Sequence, residues 1–295
     1  MKRKVDGVLL LDKPAGLTSN AALQKAKRLF RAEKAGHTGT LDPFATGLLP
    51  LCLGEATKFS QFLLDADKVY LAVVKLGIRT SSGDLDGEVI ATRPVNISEA
   101  SLCQALEGFM GEIEQVPPMH SALKHQGRPL YEYARKGIEI ERKARRVVVR
   151  ALSLETFEGD SCTLRVHCGK GFYVRALADD LGEVLGCGAH LVGLRRLAVG
   201  GFSLDNAMTL QELEVMPEAM RDARLLPPDG LIAELPGLSL DVESTWQISH
   251  GQAVWIPRLR VGEIYRLYGP HQDFLGVAEV NQDGKLAPKR LVVQA

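Results

Sequence analysis

Up to about residue 226, short strand-like runs alternate irregularly with amphipathic helical ones. After Pro227-Pro228-Asp229-Gly230 the helical period fades into short strands broken by Gly251, Pro257, Gly262 and Gly269-Pro270. A chain ordered this way is expected to be α+β over roughly residues 1–230, with a small β-rich module over 231–295. Ser98 can cap a helix whose apolar positions Leu102, Ala105, Leu106 and Phe109 fall at helical spacing, with Gly111 as its stop. Val116-Pro117-Pro118-Met119-His120 suits neither a helix nor a central strand, and a basic, helix-like stretch, Arg128 to Lys136, follows it. Strands are predicted at Lys68–Leu76, Arg146–Leu154 and Cys162–Cys168. From Tyr173 the apolar set Val174, Leu177, Ala178, Leu181 and Leu185 restores the helical period.

With 45% apolar and 24% charged residues, the composition is that of an ordinary globular protein, and no apolar run is long enough to cross a bilayer. Lys2, Arg3 and Lys4 precede an apolar patch, Val8 to Leu11, that is too short for a signal peptide, so the protein is expected in the cytoplasm. The five cysteines (Cys52, Cys103, Cys162, Cys168, Cys187) are scattered and lack the close pairs of zinc sites or small disulfide frameworks. They read as reduced and mostly structural. The formal net charge is zero, which by itself argues against an RNA partner. Its distribution differs. Residues 1–35 and residues 124–150 each hold nine Lys/Arg against three Asp/Glu, while residues 205–243 hold two against nine. A charge run alone more often marks a solvated face, so these runs support an RNA-binding surface without establishing one.

The most informative segment is Gly36-His37-Thr38-Gly39-Thr40-Leu41-Asp42-Pro43-Phe44-Ala45-Thr46-Gly47, where three glycines permit tight turns or close approach of a ligand and Pro43 stiffens the chain after one acid. The Gly-x-x-x-x-Gly-Lys-Ser/Thr phosphate loop is absent, and on the residues alone Asp42 could equally cap a turn.

That segment resembles the signature loop of the TruB-type tRNA pseudouridine-55 synthases. The resemblance extends to Gly7-Val8-Leu9-Leu10-Leu11-Asp12-Lys13-Pro14, Leu53-Gly54-Glu55-Ala56-Thr57-Lys58-Phe59 and Ser121-Ala122-Leu123-Lys124. It continues in Gly169-Lys170-Gly171-Phe172-Tyr173-Val174-Arg175 and in Gly188-Ala189-His190-Leu191 with Leu194-Arg195-Arg196-Leu197, so it covers essentially the whole chain. Departures are Thr40, where Ala is common, and a compact C-terminal region that matches the family's PUA-like RNA-binding module more weakly.

The resemblance implies a mixed, largely antiparallel sheet in the catalytic domain and an isomerisation of uridine 55 in the T-arm loop of tRNA. The C1′–N1 bond breaks and the base, flipped from its stack, is rejoined through C5. Asp42 takes the family's nucleophile position, and Arg175 matches the cation that keeps it charged. Tyr70 matches the aromatic platform for the flipped uracil, His37 the residue contacting the rearranged loop, and Tyr173 and Leu194 further walls of the substrate pocket. Lys13 matches a lysine supporting the active-site loop. Asp84 corresponds to a polar pocket residue but has unusual neighbours, and it stays outside the main set. Taken singly, Tyr70 and Leu194 would be core residues, and Lys13 and Arg175 surface charges. Neither a metal nor a nucleotide cofactor is expected, nor an obligatory protein partner, and a monomer is the default.

Two other classes remain to be weighed. Gly169-Lys170-Gly171-Phe172-Tyr173-Val174 imitates part of a dinucleotide-binding turn, but its sixth position is Val and no acid follows at the distance of a ribose ligand. A non-catalytic RNA-binding or RNA-folding protein would use the same basic segments. The presence of Asp42, Tyr70 and Arg175 together weighs against it.

Overall fold

The computed structural model describes residues 1–293. Ten strands form the central sheet: β1 (Gly7–Lys13), β2 (Ala35–His37), β3 (Thr46–Leu53), β4 (Lys68–Leu76), β5 (Gly111–Gln115), β6 (Arg145–Glu158), β7 (Ser161–Cys168), β8 (Ala189–Val199), β9 (Phe202–Ser203) and β10 (Met208–Thr209). Their order is β10–β1–β3–β8–β4–β7–β6–β5, with β2 added to β3 and β9 to β8. The sheet is mixed and largely antiparallel, as expected. Pairing is parallel where β1 meets Met208–Thr209 and where Arg195–Arg196 of β8 meets Thr46–Gly47 of β3.

The second of these contacts shapes the site. Strand β8 follows β3 for only two residues, and β2 takes over the same edge at Leu51–Leu53. Residues 38–45 therefore leave β2 and re-enter β3 in the fork between two diverging strands. Gly47 closes that fork. At φ +101°, a Cβ there would lie 2.3 Å from the Arg196 carbonyl oxygen, so only glycine lets the backbones pass.

Two hydrophobic cores lie on the sheet and meet near the fork. Helix α1 (Ser19–Leu29), capped by the Thr18 hydroxyl accepting from the Ala21 N–H at 3.0 Å, buries Ala22, Leu23 and Ala26 against Leu9, Leu11, Leu49 and Leu51. Helix α2 (Glu99–Glu107) starts at Ser98 as the capping pattern predicts, and adds Leu102 and Leu106 to a core with helix α3 (Val174–Val184). In that core Val174, Leu177, Ala178 and Leu181 pack on Ala72, Val74, Leu164, Val166 and Leu191. Tyr70 and Leu194 touch both cores, which places them on the seam.

One local expectation needs correction. The stretch Arg128 to Lys136 is helical only over Leu130–Ala134. Gln126 and Gly127 both turn at positive φ, and Arg128–Pro129 folds back on Lys124–His125 as a two-residue ribbon. The C-terminal region is β-rich as expected, and the little helical period it shows corresponds to one helix, α4 (Val242–Ser249). It is held by an Asp241 cap and buries only Ile248, too little apolar pattern to announce itself. Around α4 runs a five-stranded sheet in the order Gly237–Ser239, Ile264–Tyr268, Phe274–Val280, Lys285–Leu291, Val254–Trp255.

The Pro227–Gly230 segment opens a 3-10 helix, Pro228–Ile232, whose Leu231 and Ile232 are buried. They join Val8, Leu10, Leu48, Phe59 and Val277 in one cluster, and the Phe59 and Phe274 rings stand 5.3 Å apart. Among the described residues no helix is long and apolar enough to cross a membrane.

Candidate active site

Asp42 sits in the 38–45 loop, and its neighbours are fixed on both sides. The Leu41 N–H donates to the Ser19 hydroxyl at 2.7 Å, and that hydroxyl returns a bond to the Leu41 carbonyl at 3.0 Å. On the other flank the Pro43 carbonyl accepts from the Gly16 N–H at 2.8 Å and from the Lys13 ammonium at 3.3 Å. Lys13 is fully buried and also donates to the Pro14 and Leu17 carbonyls, at 2.9 and 2.6 Å. It is a brace inside the fold, not a surface charge.

The Asp42 carboxylate faces Arg175, with Nε 3.1 Å from Oδ2 and Nη2 3.4 Å from Oδ1. Arg175 is 5% exposed and lies in the first turn of α3, where a cation opposes the helix dipole. Carboxylates compensate it. Asp84 takes Nη1 at 3.2 Å and is itself 4% exposed, held by the Ser82 hydroxyl and the Asp86 N–H. Nη2 also donates to the His120 carbonyl at 2.6 Å, which ties the exposed basic segment beyond residue 120 to the same guanidinium.

The electrostatics of Asp42 are a contest. Burial pushes its carboxyl above the usual range, Arg175 pulls it back, Asp84 raises it and Lys13 lowers it. The side chain is still 31% exposed, so it is enclosed without being sealed from a ligand. Burial likewise pushes the Lys13 ammonium down to about 8, against the pull of Asp42.

Tyr70 and Tyr173 both lie within electrostatic reach of Asp42, and burial raises both phenols, so each remains a neutral donor and apolar face. Tyr173 is oriented through its backbone. Its N–H donates to Gln115 Oε1 at 3.0 Å and its carbonyl accepts from Gln115 Nε2 at 3.2 Å. Leu194 stands two residues before Arg196 on β8, and Arg196 pairs with Tyr70 on β4. His37, at the mouth of the loop, shares no hydrogen bond or ion pair with Asp42 or Arg175 among the described residues. Burial lowers its imidazolium pKa, and its Nδ1 is enclosed without a hydrogen-bond partner.

Two residues of this arrangement lay outside the predicted set. Asp84 had a signal in its Ser-Ser-Gly-Asp turn, but its contact with Arg175 spans 91 positions. Arg196 had a weaker one: strand period two puts it on the same face as Leu194. Among the described residues no cluster of His, Cys, Asp and Glu could hold a metal ion.

Lys13 yields a test of the loop's support. Lys13→Met leaves the Pro14, Leu17 and Pro43 carbonyls without their shared donor, and the single-turnover rate is expected to fall about ten- to a hundredfold. Because the ammonium deprotonates as pH rises through about 8, any alkaline limb it produces in the wild-type profile should vanish in the variant. A limb that persists in Lys13→Met would show that another group produces it.

The comparisons with known proteins agree along the whole chain. The model described as "TruB family pseudouridylate synthase (N terminal domain)" matches residues 27–174, and two C-terminal TruB models match residues 175–232 and 236–292. The chain is 52% identical to tRNA pseudouridine synthase B of Methylobacillus flagellatus over 100% of this chain and 98% of that one. It is 57% identical to the protein of the same name from Aromatoleum aromaticum, over 99% and 94%. Among solved structures, a chain from a Cbf5-Nop10-Gar1 complex superposes with a TM-score of 0.74 at 26% identity, covering 98% of this chain and 84% of that one. The loop bearing Asp42, the buried arginine that faces it and the seam between two cores are thus parts of a chain that belongs to the TruB family of pseudouridylate synthases.

Proposed function

We propose that this protein converts uridine 55 in the T-arm loop of tRNA to pseudouridine, with Asp42 as the nucleophile. The observation that carries the reading is the Asp42–Arg175–Asp84 chain, in which a buried guanidinium faces a carboxylate whose ionised form burial disfavours and the cation favours. A charged carboxylate beside a pocket is what nucleophilic attack on the uridine requires. The relatives' name supplies the substrate class.

In the reaction the N1–C1′ bond breaks, the base turns, and a C5–C1′ bond forms. The proton on C5 departs and N1 gains one, so the product is an isomer. Asp42 makes and later releases a covalent bond, and Arg175 balances its charge at both ends of the cycle. Tyr70 and Leu194, on the seam of the cores, offer the flipped base a flat face and an apolar wall. His37 and Tyr173 line the approach, and Lys13 supports the loop from beneath. The exposed basic segment 124–150 and the C-terminal module, residues 231–295, supply the tRNA contacts. Neither cofactor nor protein partner enters the scheme, and the cytoplasm is where the substrate is met.

The test is tritium release from a tRNA transcript labelled at uridine C5, in excess chelator and without added nucleotide. Release matched by pseudouridine at position 55 is expected. Product at another position would refute the site assignment, and tight binding without release would leave a passive RNA-binding protein.

A further inference from the structure

The largest fully buried side chain among the described residues is charged: Arg196, 1% exposed. Two of its hydrogen bonds run to backbone. Nε donates to the Leu48 carbonyl at 2.7 Å and Nη2 to the Gly39 carbonyl at 3.4 Å. Unlike Arg175, it has no carboxylate within ion-pair distance among the described residues. A buried guanidinium held by two backbone carbonyls and the Tyr70 side chain, with no carboxylate to balance it, is an expensive way to fill a core, and an apolar side chain would do that better.

Its position accounts for it. Gly39 lies three residues before Asp42 and Leu48 six after, so one guanidinium grips both ends of the nucleophile's loop. The backbone of the same residue presses on Gly47. Directly across the β4–β8 ladder stands Tyr70, and the Arg196 charge offsets part of the rise that burial imposes on its phenol.

We infer that Arg196 is a positioning residue for the reaction, its guanidinium clamped on the Gly39 and Leu48 carbonyls so that Asp42 is held at a fixed distance from Tyr70. The inference rests on Asp42 being the nucleophile. Geometry is what it supplies, since a planar fork reaches two carbonyls in fixed directions, whereas an ammonium is a single point of charge on a flexible stem. Misplacement of a reacting group by about 1 Å can cost about a hundredfold in rate.

The test uses Arg196→Lys, which keeps the buried cation, and Arg196→Met, which removes it. In each, single-turnover rate, tRNA dissociation constant and hydrogen exchange of residues 38–48 are measured. Arg196→Lys is expected to lose about a hundredfold in rate with tRNA affinity unchanged within about twofold, and to speed exchange in the loop but not in α1 or α3. Arg196→Met should behave likewise. Should it fail to fold, Arg196→Lys decides. A wild-type rate in Arg196→Lys, or exchange rising evenly over both sheets, would overturn the inference. Asp42→Asn measured beside them separates the two readings. It should lose turnover with its loop still protected, and if instead it keeps turnover the nucleophile assignment fails while the loop exchange still reports on Arg196.

Discussion

Asp42→Asn will abolish pseudouridine formation, lowering the single-turnover rate by more than about 10⁴-fold, the scale seen when a nucleophile is removed from a catalytic unit. The amide is nearly the same size and shape as the carboxylate. The loop's ties through Leu41, Pro43 and Ser19 do not involve the side chain, so tRNA binding should change little. Stability supplies a second readout with a definite sign. The Asp42 carboxyl is raised above its ordinary value in the fold, so its contribution is fully present below that value and is lost as pH rises through the folded one. At neutral pH the ionised carboxylate therefore opposes folding, and the Asn variant should melt no lower than the wild type. Residual turnover within about tenfold of wild type would move the chemistry to another residue.

The second large effect belongs to Arg175. In Arg175→Met the aliphatic stem is roughly kept while Asp42 and Asp84 lose their shared cation, so the Asp42 carboxyl should titrate at higher pH than in the wild type. The rate near neutral pH is expected to fall by about a hundredfold or more, and part of it should return as pH rises, because the acidic limb of the profile follows the Asp42 carboxyl upward. Removing one partner of a buried ion pair typically costs about 3–5 kcal/mol, so the variant will melt earlier. Arg175→Met combined with Asp84→Asn relieves one of the stranded charges and keeps the experiment interpretable. A uniformly low rate with an unshifted limb would mean that Arg175 acts through its bond to the His120 carbonyl, by placing the basic segment beyond it. A normal rate would remove it from the site altogether.

What could be read in advance divides along a physical line. Helices α2 and α3 and strands β4, β6 and β7 follow from caps and apolar periods that act over a few residues, and they were legible. A functional reading of the loop bearing Asp42 came only through resemblance, since an acid before a proline equally suits a turn. The burial of Arg196 was not legible at all, and that of Lys13 and Arg175 only as far as the roles the resemblance implied. In a strand or a first helical turn, a basic residue in the sequence looks the same whether it meets water or backbone carbonyls. Only the fork between β8 and β2, set by long-range pairing, decides which it meets. The same reason hid Asp84, whose turn is ordinary until β8 brings Leu191 beside it and α3 brings Arg175.

The cluster that joins Val8 and Leu10 to Leu231, Ile232 and Val277 has a thermodynamic consequence. Two sheets that share one interior cannot melt independently, because either one released alone would leave the other with an unpaired apolar face in water. The C-terminal sheet is therefore expected to share in the stability of the whole chain, and a single melting transition for both sheets would be the result that shows it. Cutting the chain at Gly230 would sever the 3-10 helix that seals that interior, so a truncated protein would report on lost stability before it reported on RNA.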